Sequence, residues 1–136
     1  RWEDHDTLDA TAFAGELAAG RFATHWRAHG LSYALPATID TELAAGRVAI
    51  CNVSRSVIHS LRGRYRRVRV VLIEARPEVL AARLANRGRE RDLATRVPAA
   101  RPDLGPGLAD DRIDNSGEIA PAAAALVALL VRYARA

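Results

Sequence analysis

Two grammars of apolar spacing share this chain. Before residue 47 apolar positions recur singly. Phe13 and Leu17 lie four apart on one face of a helix predicted over residues 9–19, with Asp9 or Thr11 as cap and Gly20 as stop. Residues 21–33 alternate loosely around Gly30, which predicts two short strands joined by a turn. Pro36 suits a first helical turn, so a helix is expected over residues 37–45, ending at Gly46.

From residue 47 the apolar residues gather into compact runs. Val48-Ala49-Ile50-Cys51-Asn52-Val53 predicts a core strand over residues 47–53, and residues 68–73 predict a second. A short helix is expected between them, over residues 56–62. Pro77 opens a helix that closes near Gly88, with Val79, Leu80 and Leu84 turned inward. Residues 89–107 are polar and rich in Pro and Gly. Residues 111–114 fit a short third strand, and residues 119–133 form an Ala/Leu helix.

Strands alternating with helices predict an α/β fold, a parallel sheet flanked by helices with right-handed crossovers. Ligands of such sheets bind beyond the carboxyl ends of the strands. Three segments fall there: Asn52-Val53-Ser54-Arg55, Glu74-Ala75-Arg76 and Asp114-Asn115-Ser116-Gly117. Helix capping by Ser54, and by Asn115 or Ser116, is the competing structural account of these polar residues.

Composition narrows the function. The 136 residues include 20 basic and 16 acidic side chains, and every basic one is Arg. With no Lys the chain cannot hold a Gly-x-x-x-x-Gly-Lys phosphate loop. It also does not begin with Met, so a piece of a longer protein is expected. The net charge of +4 invites a nucleic-acid reading, but a single aromatic, Tyr65, falls within the Arg clusters, too few for a stacking platform, and no nucleic-acid partner is expected. No apolar run approaches the roughly 20 residues that span a bilayer, so no membrane association is expected. His5, His25, His29 and His59 lack metal-ligand spacing, and no metal site is expected. Asp110 and Asp111 could be a metal pair or plain surface charges. The lone Cys51 reads as a small buried hydrophobe in a reducing, cytoplasmic setting. No Gly-x-Ser-x-Gly elbow supports a hydrolase. Arg83, Arg87 and Arg91 are spaced by four, and Arg96 follows. Such a row can close over polyphosphate, or form a solvated helix face paired with Glu78 and Glu90.

In order along nearly the whole chain, several stretches carry a resemblance. They are Glu3-Asp4-His5, Phe13, His25-Trp26-Arg27-Ala28-His29-Gly30-Leu31-Ser32-Tyr33, Ile39-Asp40, Leu43-Ala44-Ala45-Gly46 and Asn52-Val53-Ser54-Arg55. They continue through Pro77-Glu78-Val79-Leu80-Ala81-Ala82-Arg83-Leu84, Arg87-Gly88-Arg89-Glu90 and Ile113-Asp114-Asn115-Ser116-Gly117. Together they resemble the guanylate-kinase-like branch of the nucleoside monophosphate kinases, and within it the ribose 1,5-bisphosphate phosphokinases of phosphonate catabolism.

The resemblance implies a P-loop kinase-like core over residues 47–136, with a lid at 89–108 and a substrate-binding insertion at 1–46. The family's first strands and phosphate loop are absent from this chain, which alone is expected to be inactive. The implied reaction moves the γ-phosphoryl of ATP to ribose 1,5-bisphosphate, giving 5-phosphoribosyl 1-diphosphate, with Mg2+ as cofactor. By position, Arg87 and Arg96 align with lid arginines that embrace the transferring phosphate. His5, His25, Tyr33, Asn52, Ser54 and Arg55 fall on the acceptor side, and Asn115 where adenine packs. Guanylate kinases carry a Tyr in place of His5 and an acid near His25, and a neutral His cannot accept the two guanine donors as a carboxylate does. Ala34 and Val53 replace glycines usual in the family, and Pro98 interrupts what is usually helix. The implied partners are the sugar phosphate and ATP, and a homodimer is an assembly left open. Two alternatives stay open: a guanylate or other nucleotide kinase, and a non-catalytic phosphate-ligand or partner-binding domain.

Overall fold

The computed structural model of the protein describes residues 6–28, 30–86 and 107–135. The chain divides into two compact units, Arg1–Val68 and Arg69–Ala136.

The first unit opens with helix α1, Ala10–Ala18. Its cap is the Asp9 carboxylate, which accepts the Ala12 amide at 2.8 Å and satisfies an amide that no turn of helix could. Gly20 ends it with a φ of 69°, a left-handed conformation that glycine adopts without strain. The Phe13 ring meets Phe22 at 5.0 Å between centroids, tying α1 to strand β1, Phe22–Ala28. β1 pairs antiparallel with β2, Leu31–Pro36, through the turn that holds Gly30. Pro36 therefore closes a strand and does not open a helix. The reason is in the ladder: Phe22 pairs with Pro36, and the Ala37 amide still donates to the Arg21 carbonyl at 2.7 Å. Helix α2, Ile39–Ala44, starts only after that.

Residues 47–54 form no strand, contrary to the sequence expectation. An apolar run becomes a strand only where a neighbour completes its ladder, and no described strand pairs with it. Val48 and Ile50 are accordingly 53% and 67% exposed, and Cys51 is exposed as well, where burial was expected. The surroundings of its sulfur are still dry enough to push the thiol above its ordinary pKa. A 3-10 turn, Arg55–Val57, then leads into helix α3, Ile58–Arg64. Val57, Ile58 and Leu61 are the buried apolar side chains of this unit among the described residues.

The second unit is built on strand β3, Val71–Glu74, in parallel register with β4, Asp111–Asp114. The parallel sheet thus has two described strands where three were expected. Helix α4, Pro77–Asn86, follows β3, and helix α5, Ile119–Ala134, follows β4. Ile113 is the buried side chain of the sheet. On α4 Val79 is half-buried but Leu80 is exposed, so the expected inward face is narrower, and the side chain of Leu84 lies outside the described ones.

The entry edge of the sheet is held by charge. The Arg132 guanidinium donates to Asp111 at 2.6 Å, and the Tyr133 hydroxyl donates to the same carboxylate. Asp110 accepts the Val70 amide at 2.7 Å and pairs with Arg69 at 3.4 Å. Arg69 and Arg132 lie 5.6 and 5.1 Å from the centre of the Tyr133 ring, within cation–π range. Asp111 therefore fastens the last turn of α5 to the start of β4, and Asp110 ties that start to residues 69 and 70.

Candidate functional site

The described residues of the first unit that are expected on the acceptor side sit on two neighbouring pieces. One is the β1–β2 ribbon and the other is the segment that ends in the 3-10 turn, against which β1 packs. His25 is exposed and stands opposite Ala34, while Tyr33 stands opposite Trp26. Neighbouring residues of a strand alternate faces, so His25 and Tyr33 leave opposite faces of the ribbon. Tyr33 is instead joined to Trp26, with ring planes 10° apart and centroids at 5.6 Å. Such cross-strand aromatic pairs fix each other's rotamer. The pairing register, which a sequence alone does not supply, decides this separation.

Ser54 acts as the cap that its position allows. Its Oγ accepts the Ser56 amide at 3.4 Å and the Ser56 hydroxyl at 3.0 Å. Arg55 begins the 3-10 turn and is half-buried, and Asn52 is exposed two residues before the cap. The segment carrying all three is bracketed by a clasp that the sequence did not reveal. Asp40 of α2 accepts the Arg64 guanidinium and the Tyr65 hydroxyl, each at 2.6 Å, and Arg64 also donates to that hydroxyl at 3.0 Å. Separations of 24 and 25 residues carry no periodic signal, and Ile39-Asp40 reads only as a helix start.

The clasp has a pH signature. The Tyr65 hydroxyl and then Arg64 hold the Asp40 carboxyl below its ordinary value of 3.8. Its stabilising part is complete above that value and is lost as pH falls below it. Burial, and then Asp40, hold the Tyr65 phenol above its ordinary value of 10.0. Its part is complete below that value and is lost as pH rises past it. In the full chain, Asp40→Asn should flatten the acid limb of a plot of unfolding temperature against pH, and Tyr65→Phe the alkaline limb. Unchanged limbs in both variants would show that the clasp is idle.

The second unit presents the carboxyl edge of β3 and β4. Here the Asn115 amide donates to the Glu74 carbonyl at 2.7 Å, extending the parallel ladder by one residue. Ser116 donates its amide to Asp114 at 2.9 Å, and its own Oγ accepts the Arg76 amide at 2.8 Å. The Ser116 bonds hold the Asp114 carboxyl below its ordinary value. The polar residues of this turn therefore bond one another and the start of α4. They do not cap α5, whose cap position is Glu118 without a side-chain bond. The Oδ1 atom of Asn115 is buried and has no hydrogen-bond partner among the described residues. A lone buried acceptor costs about 1–3 kcal/mol, which a donor from a ligand would recover.

His5, Arg87 and Arg96 lie outside the described residues, as does the lid expected at 89–108 except for its last two positions. Of the row spaced by four, Arg83 is described and Arg87 is not. Arg83 faces the Asn115 turn, donating to the carbonyls of Asn115 at 2.7 Å and Gly117 at 3.0 Å. No group of three His, Cys, Asp or Glu side chains among the described residues is placed to hold a metal ion. No described helix is long and apolar enough to cross a membrane.

No family model matches the chain. Individual proteins do. It is 52% identical over 120 residues to the ribose 1,5-bisphosphate phosphokinase PhnN of Brucella melitensis biotype 2, covering 86% of this chain and 62% of that protein. It is 44% identical over 119 residues to the protein of the same name from Pseudofrankia inefficax, covering 87% of this chain and 63% of the relative. With the protein of that name from Methylobacterium radiotolerans it shares 50% identity over 128 residues, 94% of this chain and 72% of the relative. The chain thus spans a little over three fifths of the Brucella and Pseudofrankia proteins. Half-identity to a relative of which it covers nearly three quarters leaves one assignment: the chain belongs to the ribose 1,5-bisphosphate phosphokinase family.

Proposed function

We propose that the protein of which this chain is a part transfers the γ-phosphoryl group of ATP to ribose 1,5-bisphosphate, giving 5-phosphoribosyl 1-diphosphate and ADP. The observation that carries this reading is the 50% identity over 94% of the chain to a ribose 1,5-bisphosphate phosphokinase. An oxygen of the acceptor's 1-phosphate forms the new bond to the γ-phosphorus. The bond from that phosphorus to the β–γ bridging oxygen breaks, and its electron pair leaves with ADP. Phosphate monoesters have a second pKa near 6, so the nucleophile is already an anion at neutral pH and needs no base. What the protein must supply is alignment and positive charge.

The residues divide that work. Residues 1–46 serve as the substrate-binding insertion and 47–136 as the core with its lid at 89–108. Arg55, Asn52, Ser54, His25 and His5 bind the acceptor. Tyr33 contributes from the other face of the ribbon, so its part is separable from that of His25. Asn115 holds adenine, whose exocyclic amine is a donor suited to an Oδ1 that has no partner among the described residues. Arg87 and Arg96 meet the transferring phosphoryl. The described side chains offer no cage for Mg2+, which kinases usually hold through substrate phosphates and one or two carboxylates. We place the protein in the cytoplasm, with small-molecule partners and no nucleic acid or membrane. A homodimer is compatible with this reading. Formation of 5-phosphoribosyl 1-diphosphate from ATP and ribose 1,5-bisphosphate by the complete protein of which this chain is a part tests the function. Turnover of guanosine monophosphate in preference would reassign it to nucleotide phosphorylation.

A further inference from the structure

We infer that Arg83 is a positioning residue of the nucleotide site, fixing the turn that carries Asn115, and not a member of the arginine set that meets the transferring phosphoryl group. The inference rests on the reading of Asn115 as the adenine contact.

Spacing alone groups Arg83 with Arg87 and Arg91, but the geometry separates it. One terminal nitrogen of its guanidinium donates to the Asn115 carbonyl at 2.7 Å, and the other donates to the Gly117 carbonyl at 3.0 Å. The fork bridges two carbonyls two residues apart, a span that a planar group with fixed donors matches and a single ammonium does not. A guanidinium so engaged cannot also swing onto a phosphate without releasing the turn.

The rest of the turn is fastened from other directions. The Asn115 amide is held by Glu74 at the end of β3, and Ser116 is held by the Arg76 amide and by Asp114. Arg83 lies on α4 nearly two helical turns beyond Arg76, the residue just before that helix. It thus supplies the attachment of residues 115–117 to the body of that helix. Because Asn115 presents its side chain from this turn, a loosened turn should weaken nucleotide binding and leave the chemical step largely alone.

The test uses the full chain, with ATP affinity read by calorimetry and turnover measured at saturating ATP and ribose 1,5-bisphosphate. Arg83→Ala is expected to weaken ATP binding about tenfold while kcat stays within about threefold. Arg83→Lys should resemble the alanine variant, because charge without the fork does not restore the bridge. In the Arg83→Ala/Asn115→Ala double variant, ATP affinity should fall no further than in the worse single variant, since one residue acts through the other. A loss of kcat of two orders of magnitude with unchanged ATP affinity would overturn the inference, as would additive losses of affinity. If Arg83→Ala does not fold, amide hydrogen exchange in Arg83→Lys decides: faster exchange at residues 115–117 supports the bridge, and unchanged exchange sinks it. Asn115→Ala keeps the two readings apart. Unchanged ATP affinity there removes the adenine assignment itself. Weakened affinity there, with both Arg83 variants normal, removes only the role of Arg83.

Discussion

Arg87→Ala and Arg96→Ala in the full chain should each lower kcat by roughly two to four orders of magnitude, corresponding to about 3–5 kcal/mol of lost transition-state stabilisation. Acceptor affinity should change far less. In phosphoryl transfer, negative charge spreads over the transferring group and the bridging oxygen as the bond to ADP lengthens. A guanidinium aimed at those oxygens gains most at that moment, so its loss appears in kcat and in kcat/KM together. Arg87 follows Arg83 by four residues in the sequence, and Arg96 lies in the polar stretch after it. Steady-state kinetics with both substrates varied would measure the effect. Near-normal turnover in both variants would return them to an ordinary solvated face.

What was legible in the sequence was whatever depends on near neighbours. The Asp9 cap, the Gly20 stop, the ribbon turning at Gly30, the strand at residues 111–114 and the last helix are encoded within a few residues of themselves. What failed depended on a distant partner. The run at residues 47–53 signals a need for burial, but whether it pairs depends on which strand lies alongside. Pro36 suits a helix start as well as a strand end, and the Arg21 carbonyl bonded to Ala37 decides between them. The same limit governed the site. Family resemblance put His25 and Tyr33 in one group, yet only the β1–β2 register shows that they occupy opposite faces. Spacing groups Arg83 with Arg87 and Arg91, and only the structure shows its guanidinium bonded to carbonyls 32 and 34 residues away.

The acceptor side should reveal itself through Arg55. Arg55→Ala in the full chain is expected to raise the KM for ribose 1,5-bisphosphate by roughly 30- to 150-fold, the equivalent of about 2–3 kcal/mol for a lost charge-assisted contact. Arg can hold a phosphate through two parallel hydrogen bonds, and Lys keeps the charge without that fork, so Arg55→Lys should recover only part of the affinity. His25→Glu should also weaken the sugar bisphosphate, because it sets a carboxylate beside an anion that carries up to four negative charges. That substitution supplies the acid that a guanine edge prefers, yet on the proposed reading Arg55 and the Asn52-Val53-Ser54 segment still serve a second phosphate, so guanosine monophosphate need not become a good acceptor. Tyr33→Phe reads the other face of the ribbon: removing the hydroxyl while keeping the ring on Trp26 should produce a change independent of that from His25→Glu. Competition between ribose 1,5-bisphosphate and guanosine monophosphate measures all four variants on one scale. An acceptor KM indifferent to Arg55→Ala would take that residue out of the site. Strong coupling between the Tyr33 and His25 variants would mean that the acceptor reaches around the ribbon to touch both faces at once.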